Sequence, residues 1–188
     1  MEIGRLMSRL LGLMSQGLGL REDHLRSLLE NNDDYSAQAH YYPPCPQPER
    51  TLGLRPHFDL KVLTVLLQEE GVVGLHVRNQ ERWIAVHPNP DALVINLADQ
   101  MQVLSNDKYK SVLHRAVNNK RKRVSFAMFY GPKKDMSIQP IPELTDETTN
   151  RPIYSPYTFN EYLEKYNNLQ GDEIRMIKET FKINYDII

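Results

Sequence analysis

Apolar residues Ile3, Leu6, Met7, Leu10, Leu11 and Met14 recur at the spacing of one helix face, so the chain opens with a predicted amphipathic helix. The stripe reads as core packing, with Met7 and Met14 as filler rather than metal ligands. Gly17 and Gly19 end the helix, and Leu25, Leu28 and Leu29 mark a second, short one. From Ala37 the pattern changes to short runs rich in β-branched and aromatic residues. These are Ala39–Tyr42, Leu52–His57, Val62–Gln68, Gly74–Arg78, Trp83–His87, Ala92–Leu97, Ser111–Val117 and Arg123–Tyr130. Turn signals separate them, among them Pro43-Pro44-Cys45-Pro46, Asn79-Gln80 and Pro88-Asn89-Pro90. Many short strands at such spacing predict a sandwich or jelly roll.

One interruption is helical: Asp99 is placed to cap a turn or two through Met101, Val103 and Leu104, ending near Asn106. The stretch from Lys133 to Pro156 is proline-rich and polar and reads as a long loop. Thr158-Phe159-Asn160-Glu161 is a capping box that opens a helix with Tyr162, Leu163 and Tyr166 on one face. Asp172 is the expected cap of a last helix through Ile174, Ile177 and Phe181. The chain therefore divides into a helical segment over 1–36, a mainly β core over 37–132, and a loop with helices over 133–188.

The 188 residues suffice for one domain with a real core. A net charge of −1 gives no field that would draw the chain to nucleic acid or an anionic membrane. No apolar run reaches the length of a membrane span, and the N-terminus lacks the features of a signal peptide. Cys45 is the single cysteine, so no internal disulfide forms; a reducing, cytoplasmic setting is expected.

Three residues then change the picture. His57 and Asp59 form a His-X-Asp pair, and His114 follows in a later strand. Residues two apart on an extended strand project to one side, so His57 and Asp59 are able to grip one ion. Two imidazoles and a carboxylate suit ferrous iron, with zinc and manganese also open, and leave positions for a chelating cosubstrate and dioxygen. A zinc hydrolase would need a general base beside the metal, and none stands out. His24, His76 and His87 have no carboxylate at matching spacing and read as structural or exposed. Arg123 and Ser125 share a strand face, where a guanidinium fork with a neighbouring hydroxyl anchors a carboxylate. Lys120, Arg121 and Lys122 read as a solvated hairpin turn, in preference to a nucleic-acid patch.

These residues resemble the plant branch of the 2-oxoglutarate and Fe(II)-dependent dioxygenases, from about Gly12 to Phe181. The motifs that carry the resemblance are Tyr41-Tyr42-Pro43-Pro44-Cys45-Pro46, Leu54-Arg55-Pro56-His57-Phe58-Asp59, Leu63-Thr64-Val65-Leu66-Leu67-Gln68, Val94-Ile95-Asn96-Leu97, Tyr109-Lys110-Ser111-Val112-Leu113-His114-Arg115 and Arg123-Val124-Ser125. The resemblance implies a double-stranded β-helix (jelly-roll) catalytic core. It implies Fe(II) on His57, Asp59 and His114, and 2-oxoglutarate held at its distal carboxylate by Arg123 and Ser125 with help from Tyr42. It places Phe58 and Phe129 in the substrate pocket. The implied reaction consumes O2 and 2-oxoglutarate, releases succinate and CO2, and hydroxylates, desaturates or demethylates a small organic metabolite of plant specialised or hormone-like kind. Ascorbate enters as a candidate reductant.

Three departures bear on this expectation. His40 stands where the family usually has asparagine, which predicts an altered affinity for 2-oxoglutarate. Ala98 replaces a usual glycine, at little cost unless the turn needs positive φ. The region before the strands is short, so residues 1–36 read as the remnant of a larger N-terminal region. Two alternatives therefore stand beside the oxygenase: a truncated jelly-roll module that binds metal without turnover, and an ascorbate-using, ethylene-forming relative.

Overall fold

The computed structural model describes residues 2–29, 33–168 and 176–185. Helix α1 spans Glu2–Gly17 and α2 spans His24–Leu29. Gly19, at φ +78°, closes α1 in a Schellman motif: Gly19 N–H donates to Gln16 O and Leu20 N–H to Ser15 O. Ser15 is buried because its hydroxyl donates to Leu11 O and accepts from Leu25 N–H, which ties the two helices together.

All eight expected strands occur: β1 Asp33–Tyr42, β2 Leu52–His57, β3 Leu63–Gln68, β4 Leu75–Asn79, β5 Arg82–Val86, β6 Val94–Leu97, β7 His114–Val117 and β8 Arg123–Pro132. They form two four-stranded antiparallel sheets, β1-β8-β3-β6 and β2-β7-β4-β5. Apart from the β4–β5 hairpin, sequence-adjacent strands alternate between the sheets in the manner of a jelly roll, and the fold is a double-stranded β-helix. β1 starts six residues earlier than its apolar run, at Asp33 rather than Ala39. Its polar residues Ser36 and Gln38 face an open cavity, so hydrophobic alternation does not reveal them.

The main core lies outside the β-helix. The outward residues Leu63, Val65 and Tyr130 pack against Met7, Leu11, Leu25 and Leu29 of the helices and against the C-terminal segment. The interior apolar cluster is small, with Leu66, Leu75 and Ala127 at its centre, because much of the interior is an open cavity.

Three expectations are corrected. Helix α3 spans Asp99–Leu104, but Ala98 is its N-cap and the Asp99 carboxylate caps nothing. That carboxylate instead meets Lys178 and Tyr162, buried partners that outcompete the helix end. Residues 133–156 are not a loose loop: strand β9 (Ser137–Ile138) pairs with β10 (Tyr157–Thr158), and Met136, Ile138, Ile141, Leu144 and Tyr154 are buried. A two-residue ladder and a 3₁₀ turn at Pro142–Leu144 are too short to leave a periodic signal. Of the expected last helix, Asp172 and Ile174 lie outside the described residues, while Ile177–Phe181 is a 3₁₀ turn rather than an α-helix.

The capping box forms as expected at α4 (Phe159–Asn168). Thr158 N–H donates to the Glu161 carboxylate, and Glu161 N–H donates back to Thr158 Oγ1. Ala98 has φ −113°, so no glycine is needed there.

Candidate metal centre and acid pocket

Register places His57 directly opposite His114, across the pairing of β2 with β7. The ladder slips between Leu54 and His57, so that Arg55-Pro56 inserts an extra residue and re-aims His57 at its partner. The two rings lie 4.2 Å apart between centroids. Asp59, just beyond β2, brings Oδ1 to 3.8 Å from His57 Nε2 and 3.7 Å from His114 Nε2. These are too long for hydrogen bonds, and both fall under the separation of about 4.4 Å that two metal bonds of roughly 2.2 Å span. Among the described residues, these three form the one cluster with ligand atoms this close.

Proton placement decides what this cluster can hold. His57 Nδ1 lies 2.8 Å from Arg55 O, and His114 Nδ1 lies 3.0 Å from Val112 O. A carbonyl only accepts, so each Nδ1 carries a proton, and in the Nδ1–H tautomer each ring turns its Nε2 lone pair to the centre. Burial, and then the neighbouring His114, lower the pKa of His57 and favour its neutral form. Two lone pairs and a carboxylate oxygen therefore converge with no donor between them. That donor set fits a divalent cation, with the backbone carbonyls orienting the rings. Asp59 is fixed in turn, its carbonyl accepting from Asp99 N–H at 2.9 Å while Oδ2 lies 3.5 Å from Asn96 Nδ2.

The other end of the same cavity, whose volume is about 520 Å³, has the reverse deficit. Arg123 and Ser125 on β8 are both buried and both line it. Arg123 donates to Gln68 Oε1 at 3.3 Å, yet its Nε has no partner. Burial lowers the Arg123 pKa, an effect opposed by Tyr42 and Glu69. The Tyr42 ring stands 5.1 Å from the guanidinium carbon, opposite Arg123 in the β1–β8 register. Thr64 Oγ1, buried on the cavity wall opposite Asn96 and so toward the His57–Asp59 end, is also unpartnered. A buried cation with an open donor fits a carboxylate. His40 sits beside this group, bonded to Gln38 at 3.1 Å and stacked near Tyr42.

All the sequence-selected residues thus line one cavity: His57, Asp59 and His114 at one end, Arg123, Ser125 and Tyr42 at the other, with Phe58 and Phe129 also on its wall. His24, His76 and His87 lie elsewhere, His24 near Glu143 and His76 against Arg115. Sequence reasoning assigned no role to Thr64, Gln68, Asn96 or Gly74. Gly74 is the informative omission: a Cβ there would collide with Arg123 Cδ and Nε, so its bare backbone makes room for the guanidinium. A glycine at a strand start was the available signal.

A family model described as the 2OG-Fe(II) oxygenase superfamily matches residues 34–132. Protein DMR6-LIKE OXYGENASE 1 of Arabidopsis thaliana is 48% identical over 164 residues, covering 87% of this chain and 46% of the relative. Jasmonate-induced oxygenase 2 of the same plant is 45% identical over 163 residues, covering 86% of this chain and 44% of its own. The chain spans about half the length of the curated relatives it matches. A crystal structure of JOX2 in complex with 2OG, Fe and JA superposes with a TM-score of 0.90 at 41% identity, over 97% of this chain and 54% of that one. A rice dioxygenase for auxin oxidation, at 24% identity and a TM-score of 0.81 over 96% of this chain and 60% of that one, shares the fold. With the matched region covering just over half of its residues, the chain belongs to the 2OG-Fe(II) oxygenase superfamily.

Proposed function

We propose that this chain carries the catalytic core of an Fe(II)- and 2-oxoglutarate-dependent oxygenase that oxidises a small organic metabolite of hormone-like or specialised kind. The observation that carries the reading is the pair of opposite deficits in one cavity: acceptors without a proton at His57, Asp59 and His114, and donors without an acceptor at Arg123. In this reading residues 37–132 form the core, and the segments 1–36 and 133–188 pack around it. Membership of the superfamily supports the choice of iron. The relative solved with 2OG, Fe and JA supports the choice of a small organic substrate.

His57, Asp59 and His114 would hold the metal. Bound there, ferrous iron and 2-oxoglutarate supply the oxidising chemistry: O2 is consumed, the oxo acid is decarboxylated to succinate, and a substrate C–H bond is oxidised. The Arg123 fork takes the distal carboxylate, Ser125 adds a hydroxyl, and Tyr42 closes the side of the pocket. Phe58 and Phe129 offer apolar surface to the substrate, and Leu66 helps exclude water. Near-neutral net charge argues against a nucleic-acid partner. Among the described residues no helix is long and apolar enough to cross a membrane. The single cysteine and a metal that must stay ferrous suit the cytoplasm.

A second reading, a metal-binding module without turnover, draws on the exposure of Ser36 and Gln38, which leaves the cavity open along β1. Succinate release from 2-oxoglutarate, measured aerobically with Fe(II) and ascorbate, separates the readings. Release that disappears in Asp59→Ala supports the oxygenase. A folded, metal-loaded protein that forms no succinate supports the module, and oxidation that runs on ascorbate without 2-oxoglutarate points to the ethylene-forming type.

A further inference from the structure

Lys178 is a buried cation that the proposed chemistry does not use. It is 2% exposed, on the C-terminal 3₁₀ turn Ile177–Phe181. Its ammonium lies 2.9 Å from Asp99 Oδ1 and 3.7 Å from the centre of the Phe58 ring. Phe58 is the middle residue of the His57-Phe58-Asp59 turn. Asp99, 0% exposed, accepts from the Tyr162 hydroxyl at 2.7 Å on its other oxygen. The main-chain N–H of Asp99 donates to the Asp59 carbonyl at 2.9 Å. One ammonium therefore reaches the His57–Asp59 segment by two routes, directly at the face of Phe58 and indirectly through Asp99, whose N–H holds the Asp59 carbonyl.

An ion pair this deep is an inefficient way to gain stability, since apolar side chains of similar size usually serve as well. What it supplies is direction. The charge must sit against Asp99, and the Phe58 face is drawn over it. Phe58 and Asp99 in turn limit where the flanking ligands point.

We infer that Lys178 is a positioning residue: through Phe58 and Asp99 it fixes the His57–Asp59 turn, so that the C-terminal segment sets the metal affinity of the site. This rests on the reading of His57, Asp59 and His114 as the metal ligands. Coupling of this kind is reciprocal, so a bound metal also holds the Ile177–Phe181 turn in place.

The test is anaerobic titration with Co(II), following its visible ligand-field bands, with thermal unfolding of the metal-free proteins alongside. Lys178→Met leaves Asp99 buried without its cation, so the informative variant is Lys178→Met/Asp99→Asn, which removes both charges together. The expected result is a folded double variant that binds Co(II) about 10-fold or more weakly, the size typical of lost outer-sphere partners, with shifted bands. A folded double variant with unchanged affinity and spectrum overturns the inference. Where the double variant fails to fold, Phe58→Leu decides, because it leaves the ion pair intact: weaker binding supports the inference and unchanged binding overturns it. Wild-type protein that binds no Co(II) while His57, Asp59 and His114 are intact removes the metal reading itself, an outcome distinct from equal binding by wild type and variant.

Discussion

The two ends of the cavity are built on opposite principles. At the metal end the protein supplies acceptors and hides the protons: two backbone carbonyls take the imidazole N–H groups, and three lone-pair donors face one another. At the acid end it supplies donors and withholds the acceptor: Arg123 Nε is buried and unpartnered. Each arrangement is unfavourable by itself, since a buried polar group without a partner costs about 1–3 kcal/mol. Together they describe a ligand pair, a cation at one end and a carboxylate at the other. The comparison teaches that a site shows its ligand through what the protein leaves unsatisfied.

The comparison breaks most completely at the ligands. His114→Ala removes one of three donors, so Fe(II) affinity should fall by at least about 100-fold, beyond the roughly 10–100-fold loss for an outer partner. Calorimetric titration checks this, and near-native affinity would show that the cluster is not the metal site. Arg123→Met comes next. Removing the charged partner of a buried carboxylate costs about 2–5 kcal/mol, so the apparent affinity for 2-oxoglutarate should drop at least about 30-fold. Metal affinity without the oxo acid should hold, and a variant that lost both equally would merge the two ends into one. Gly74→Ala sharpens the account of the acid end. Overpacking costs about 1–3 kcal/mol, and here it falls on Arg123, so KM for 2-oxoglutarate should rise about tenfold with Co(II) binding unchanged. His40→Asn is the smallest change. His40 makes one side-chain bond, to Gln38, beside Tyr42. A neutral bond contributes about 0.5–1.5 kcal/mol, so 2-oxoglutarate affinity should shift by less than about tenfold. No shift at all would show that His40 is a bystander.

The metal end was the more legible in sequence. Its proposed ligands are rare residue types, and two of them sit at a spacing that an extended chain converts into a shared direction. The strands were legible where one face packs on the helices, as at Leu63 and Val65, and illegible at Asp34–Ser36, which face the cavity or solvent. The acid end was half legible. Arg123 and Ser125 announce themselves by strand spacing, but Gln68 and Gly74 act through contacts that only the fold creates. Asp99 shows the same limit from the other side. Local chemistry favours a helix cap, but Lys178, far along the chain, claims its carboxylate. A propensity describes what a residue does among its neighbours in sequence, and a buried ion pair between distant segments overrides it.

The most direct test of the opposite deficits is an anaerobic titration of Fe(II) and 2-oxoglutarate into the protein, watching for the visible charge-transfer band of a chelated ferrous complex. The account predicts a band in the wild type, none in His57→Ala, and one in Arg123→Met that needs far more 2-oxoglutarate. Folded wild-type protein that binds both components and gives no band would contradict it, because the two ends would then not be serving one ligand pair.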